Sequence, residues 1–62
     1  MEFHVEGMTC GGCARGVTRA IQAVDAYAKV ITDPPNRSVK VETTATQQQV
    51  VEALTEAGFP PR

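Results

Sequence analysis

Two cysteines, Cys10 and Cys13, stand three residues apart with Gly11 and Gly12 between them. Thiols at i and i+3 can bring their sulfurs onto one ion, and glycines between them let the chain wrap without Cβ clashes. A disulfide closing so short a loop removes little chain entropy. A small secreted scaffold spends more cysteines than this on long-range bridges. The pair therefore reads as chemistry rather than architecture. Sulfur is a soft donor, and a pair of thiolates suits an ion of low coordination number, which selects Cu(I) over hard cations. On Zn²⁺ the same pair leaves half of a tetrahedral shell empty. Ag(I) and Hg(II) also fit two sulfurs, and ligand count does not separate them from Cu(I).

The elements that must position this pair follow from periodicity. Phe3 and Val5 alternate with Glu2, His4 and Glu6, which predicts a short half-buried strand over residues 2–6. Gly7 ends it, and Met8 to Gly12 form a loop. Ala14, Val17, Ile21 and Val24 then recur at spacings of three and four, with Arg15, Thr18, Arg19 and Gln22 on the other side. That pattern predicts an amphipathic helix over residues 12–24. The cysteine loop thus lies at a strand-to-helix junction. A helix N-terminus lowers thiol pKa and favours a negatively charged product, such as two thiolates on a monovalent cation.

Residues 28–32 are β-rich and predict a second strand with Ala28 and Val30 facing inward. Asp33-Pro34-Pro35-Asn36 is a turn by composition. Val39 and Val41 alternate with Ser38, Lys40 and Glu42, giving a third strand that forms a hairpin with the second. Thr46 and Gln49 have the spacing of a capping box. Val50, Leu54 and Ala57 form the stripe of a second helix, with Val51 beside it. Gly58 stands where a left-handed cap belongs, and Pro60 prevents continuation. The order β-α-β-β-α is satisfied by a split β-α-β arrangement with both helices on one sheet face. His4, Glu6, Lys40 and Glu42 suit the exposed face.

The chain has 62 residues, 42% hydrophobic and 21% charged, which supports one domain over residues 1–62. A chain of this size buries only about 60% of its unfolded surface. With 5% aromatics and no Trp, its core rests on Val, Ile, Leu, Ala and Phe. Six basic against seven acidic side chains provide no clustered basic footprint for nucleic acid. No apolar run approaches the roughly 20 residues of a membrane span. Met1-Glu2-Phe3-His4 lacks the pattern of a signal peptide, so a cytoplasmic location is expected.

Gly7-Met8-Thr9-Cys10-Gly11-Gly12-Cys13 resembles the GMTCxxC signature of the heavy-metal-associated domain. The likeness continues through the helix to Val24, the Val39–Val41 strand and the Gly58-Phe59 turn, and is greatest to short bacterial copper chaperones. The resemblance implies an α+β, ferredoxin-like βαββαβ sandwich. It implies Cu(I) held by Cys10 and Cys13 and handed to the metal-binding domain of a copper-transporting P-type ATPase. Met8 matches a methionine that packs under the loop. Phe59 matches a position near the metal where bacterial chaperones often carry Tyr and eukaryotic ones Lys. Three departures stand out. Gly12 replaces the His of some bacterial members, Phe59 offers no hydroxyl or ammonium, and Pro60-Pro61-Arg62 leaves the fourth strand truncated or vestigial.

Blander readings compete at each position. A CxxC also serves as a redox dithiol, but the glycines, the preceding Met-Thr and the short chain favour metal. His4 lies on the polar phase of its strand and reads as an exposed strand histidine. Met8 reads as core filler. Arg15 and Arg19 lie one turn apart beside the loop; such charges usually make a solvated face, and docking of a partner is the sharper alternative.

The expected function is a Cu(I) carrier and not an enzyme, with transfer by ligand exchange and no nucleic acid or membrane insertion. Two exposed loops sharing copper predict a possible copper-bridged homodimer. The competing readings are a regulatory domain excised from a heavy-metal ATPase, a reactive-dithiol enzyme, and a mercury- or zinc-binding relative. The Met1 start and the absence of a linker favour the free-standing carrier.

Overall fold

The computed structural model describes residues 1–62. Three strands, β1 (Glu2–His4), β2 (Lys29–Asp33) and β3 (Ser38–Glu42), form an antiparallel sheet in the order β1-β3-β2. Two helices, α1 (Gly11–Val24) and α2 (Gln47–Glu56), complete the sequence of elements. Register follows the hydrophobic alternation: Phe3 pairs with Val39 and Val30 with Val41, so the inward residues stay in phase. Their outward neighbours pair by charge, Glu2 opposite Lys40 and Lys29 opposite Glu42.

A single core unites the inward sheet face with both helices. Phe3, Val5, Val39 and Val41 from the strand side meet Ala14, Val17 and Ile21 from α1 and Val50 and Leu54 from α2. Ala28 is buried and Val30 half-buried, as the predicted phase requires, whereas Ile31 is 57% exposed on the outer face. The stripe of α2 ends at Leu54. Ala57, expected on that stripe, is exposed because it is the C-terminal cap, where the helical spacing stops. Val24 is likewise partly exposed, at 38%, at the end of α1. The first strand is shorter than the predicted 2–6, although Val5 remains fully buried beyond its end.

The ends of α2 follow their side chains. Gln49 N–H donates to Thr46 Oγ1 at 3.1 Å while Thr46 N–H donates to Gln49 Oε1 at 3.0 Å, closing the capping box. Gly58 takes φ +89°, with its N–H on the Thr55 carbonyl at 3.1 Å and the Phe59 N–H on the Leu54 carbonyl at 2.8 Å. That pair of bonds is a Schellman motif. No fourth strand forms. In its place the tail lies along β1 through one backbone bond, Arg62 N–H to His4 carbonyl at 2.7 Å.

Candidate metal centre

The cysteine loop leaves β1 and is anchored from below. Met8 is fully buried, and its N–H donates to the Val5 carbonyl at 3.1 Å. Cys10 is the N-terminal cap of α1, extended at φ −151°, and its carbonyl accepts the first helical bond from Ala14 N–H at 3.0 Å. Cys13 follows within the first turn, half-buried, while Cys10 is exposed. The two Sγ atoms lie 3.3 Å apart as free thiols.

Several groups favour the ionised form of Cys10. The backbone N–H of Cys13, the Cys13 thiol and the backbone N–H of Gly12, in that order, hold the Cys10 thiol below its ordinary value, with a smaller pull from the Arg15 guanidinium. The N–H groups are directed at the sulfur without the geometry of a full capping bond. Their effect is that of the unsatisfied donors at a helix start. A thiol that ionises readily exposes a soft anion to solvent, and its neighbour stands within reach of the same ion. With thiolate–metal bonds of about 2.3 Å, a linear complex needs the sulfurs somewhat further apart. Gly11, which has open space around it, leaves the loop free to adjust.

No third His, Cys, Asp or Glu side chain joins the pair in a ligating cluster. His4 lies instead on the outer sheet face, its Nε2 2.8 Å from Glu6 Oε1. Met8 is sealed in the core. A donor set of two sulfurs suits linear coordination of a soft ion and is short of what zinc takes in a structural site.

Phe59 packs on the helix that the cysteine loop opens. Turned back by the Schellman motif, its ring lies against Gly16 of α1: a Cβ at Gly16 would come within 3.0 Å of the ring, and one at Gly7 within 3.7 Å. Gly16 was not singled out by periodicity. The signal was available, because a glycine inside a helix costs about 1 kcal/mol relative to alanine and so points to close packing. Arg15 and Arg19 lie on the exposed side of α1 and line, with Gly11, Thr18, Gln22 and Thr32, a groove of about 470 Å³ that starts at the loop. Neither arginine takes part in the ion pairs of the fold, which join Glu6 to His4, Arg37 and Arg62 and Lys40 to Glu2.

The sequence matches the model of the heavy-metal-associated domain over residues 2–60. The chain belongs to the heavy-metal-associated domain family. Solved structures agree along the whole length. A gold-binding protein superposes with a TM-score of 0.97 at 53% identity, covering 100% of this chain and 95% of that one. The copper chaperone Atx1 from Synechocystis PCC6803, in a trimeric form, gives 0.96 at 29% identity, covering 100% of this chain and 98% of that one. Protein Atu1203 from Agrobacterium tumefaciens gives 0.88 at 39% identity, covering 100% of this chain and 97% of that one. No curated protein sequence matches the chain. The fold of this heavy-metal-associated domain is therefore the ferredoxin-like one of the Atx1 structures, without a fourth strand. No helix of the domain is long and apolar enough to cross a membrane.

Proposed function

We propose that this heavy-metal-associated domain is a cytoplasmic carrier rather than an enzyme, holding Cu(I) between Cys10 and Cys13. Binding converts two thiols to two thiolates around the ion and releases their protons. Transfer proceeds by exchange: a thiolate of the acceptor joins as a third ligand, and a donor cysteine then leaves. Low coordination keeps a position open to the incoming sulfur, so exchange is fast without weak binding. The acceptor in this reading is the metal-binding domain of a copper-transporting P-type ATPase, docked along the groove that Arg15 and Arg19 line. The observation that carries the reading is the dithiol at the start of α1, with Cys10 exposed and Cys13 half-buried, in a domain whose structural neighbours include copper chaperones.

The gold-binding relative at 53% identity favours a second reading. Au(I) is also a soft monovalent ion satisfied by two sulfurs, so the same pair of cysteines suits it as it suits Cu(I).

An anaerobic titration against a colorimetric Cu(I) chelator, repeated with Au(I) and Zn²⁺, tests both. Tight 1:1 Cu(I) capture, lost in the Cys10→Ser/Cys13→Ser double variant, and much weaker Zn²⁺ uptake are expected. Failure to take Cu(I) from the chelator while Au(I) binds tightly would replace copper by gold. Failure with both ions would remove the carrier reading. Delivery is tested separately by mixing the loaded protein with an ATPase metal-binding domain. Arg15→Glu/Arg19→Glu should slow that transfer, and an unchanged rate would remove the docking groove.

A further inference from the structure

The loop has a positive charge near the Cys10 sulfur, the guanidinium of Arg15. A Cβ placed on Gly12 would lie 3.8 Å from Cys10 Sγ and 4.0 Å from Arg15 Nη2. Sulfur and guanidinium thus border the same small space, which the absence of a side chain at Gly12 keeps open. The guanidinium is not committed elsewhere, since no carboxylate of the fold pairs with it. The other residue beside the site, Phe59, carries no charge. Resting on the reading of Cys10 and Cys13 as the metal ligands, we propose that Arg15 is the counter-charge of the loaded loop and biases the site toward monovalent over divalent ions.

The argument is one of charge. Two thiolates on a monovalent ion leave an anionic complex, whereas two thiolates on a divalent ion leave a neutral one. A guanidinium that borders the same space as the sulfur stabilises the first and has almost no net charge to act on in the second. Arginine suits the role because it stays charged at every relevant pH and is more weakly hydrated than an ammonium.

Ag(I) and Hg(II) make a matched pair of probes, both soft and both satisfied by two sulfurs, but giving complexes that differ in charge. Their affinities are measured by competition with dithiothreitol at one pH, in wild type, Arg15→Gln, Arg15→Glu and Arg15→Lys. At low ionic strength Arg15→Gln should weaken Ag(I) by about three- to tenfold and leave Hg(II) within about twofold, the scale expected for charges near a protein surface. Arg15→Glu should weaken Ag(I) further, and Arg15→Lys should restore most of it. At 1 M salt, where the Debye length is about 3 Å, the Ag(I) differences should collapse. Equal losses for the two ions would make Arg15 a structural residue, and no loss would make it a bystander; either overturns the proposal. If the ions bind as tightly to the Cys10→Ser/Cys13→Ser variant, or do not bind wild type, the ligand reading itself fails, and this inference with it.

Discussion

Phe59 and Gly16 show how a single side chain can lock the helix that the cysteine loop opens. Alanine at Gly16 should add about 1 kcal/mol of helix propensity. The Phe59 ring stands 3.0 Å from where the new Cβ would be, so this gain must be set against displacing the ring. Phe59→Ala alone should cost about 2 kcal/mol, roughly half of a full-core truncation, because the ring is half-buried. The two changes should therefore couple. In the Phe59→Ala background, Gly16→Ala should stabilise by about 1 kcal/mol, and in wild type it should stabilise little or destabilise. Denaturant midpoints for the four proteins close this cycle, and strict additivity would show that the ring does not rest on Gly16.

Helix α2 holds neither cysteine, yet its C-terminal end sets where the tail goes. At the start, Thr46→Ala removes the acceptor of the Gln49 N–H and should cost about 1 kcal/mol, as helix caps commonly do. At the end, Gly58 sits at φ +89°, where an L side chain is strained. Gly58→Ala should cost about 1–2 kcal/mol. It should also disturb Phe59, since the Schellman bond from the Phe59 N–H to the Leu54 carbonyl depends on that turn. The two substitutions are distinguishable by the aromatic ring's NMR shifts: Thr46→Ala should leave Phe59 in place, whereas Gly58→Ala should move it. Ring shifts unchanged by Gly58→Ala would detach the cap from the site.

Across the whole molecule, one carboxylate ties three distant segments together. Glu6 accepts from Arg37 Nη1 at 2.7 Å and Arg62 Nη1 at 2.9 Å, and its Oε1 lies 2.8 Å from His4 Nε2. It therefore joins β1, the turn before β3 and the C-terminal tail where a fourth strand is missing. Hydrogen bonds from His4, then Arg37, with Arg62 adding less, pull the Glu6 carboxyl from 4.5 down to about 2. A carboxyl depressed in the folded state stabilises fully above its unfolded pKa and loses that contribution as the pH falls through its folded pKa. The window here runs from about 4.5 down to about 2. Wild type should lose stability relative to Glu6→Gln across that window, measured as denaturant midpoints at stepped pH. A difference that stays constant through it would show that the cluster contributes nothing to folding. Asp25 shifts in the same direction, because Thr43 Oγ1 donates to it at 2.6 Å, and persists in Glu6→Gln as an internal reference.

Local chemistry was legible from the residues alone. The cysteine spacing, the Thr46–Gln49 box, the Gly58 cap and the strand alternation each act over a few positions, where backbone geometry leaves a small menu of outcomes. Both helices, all three strands and the junction that holds Cys10 and Cys13 followed from those signals. Ala57 shows the limit even at short range: its spacing matched the stripe, but the helix ended at that residue and the side chain stayed in solvent. Contacts between distant positions were not legible. Glu6 meets Arg62 across 56 positions, and Phe59 returns to Gly16 from the far end of another helix. An exposed carboxylate, an interior glycine or a helix-face arginine has many locally acceptable surroundings. Only the packing of both helices on one sheet face selected among them, closing Glu6 onto the tail and resting Phe59 on Gly16. By itself the sequence determined the dithiol, the elements that flank it and the arginines and ring beside it; the tertiary structure decided the long-range contacts, Phe59 on Gly16 and Glu6 on Arg62, because these join positions far apart in the chain.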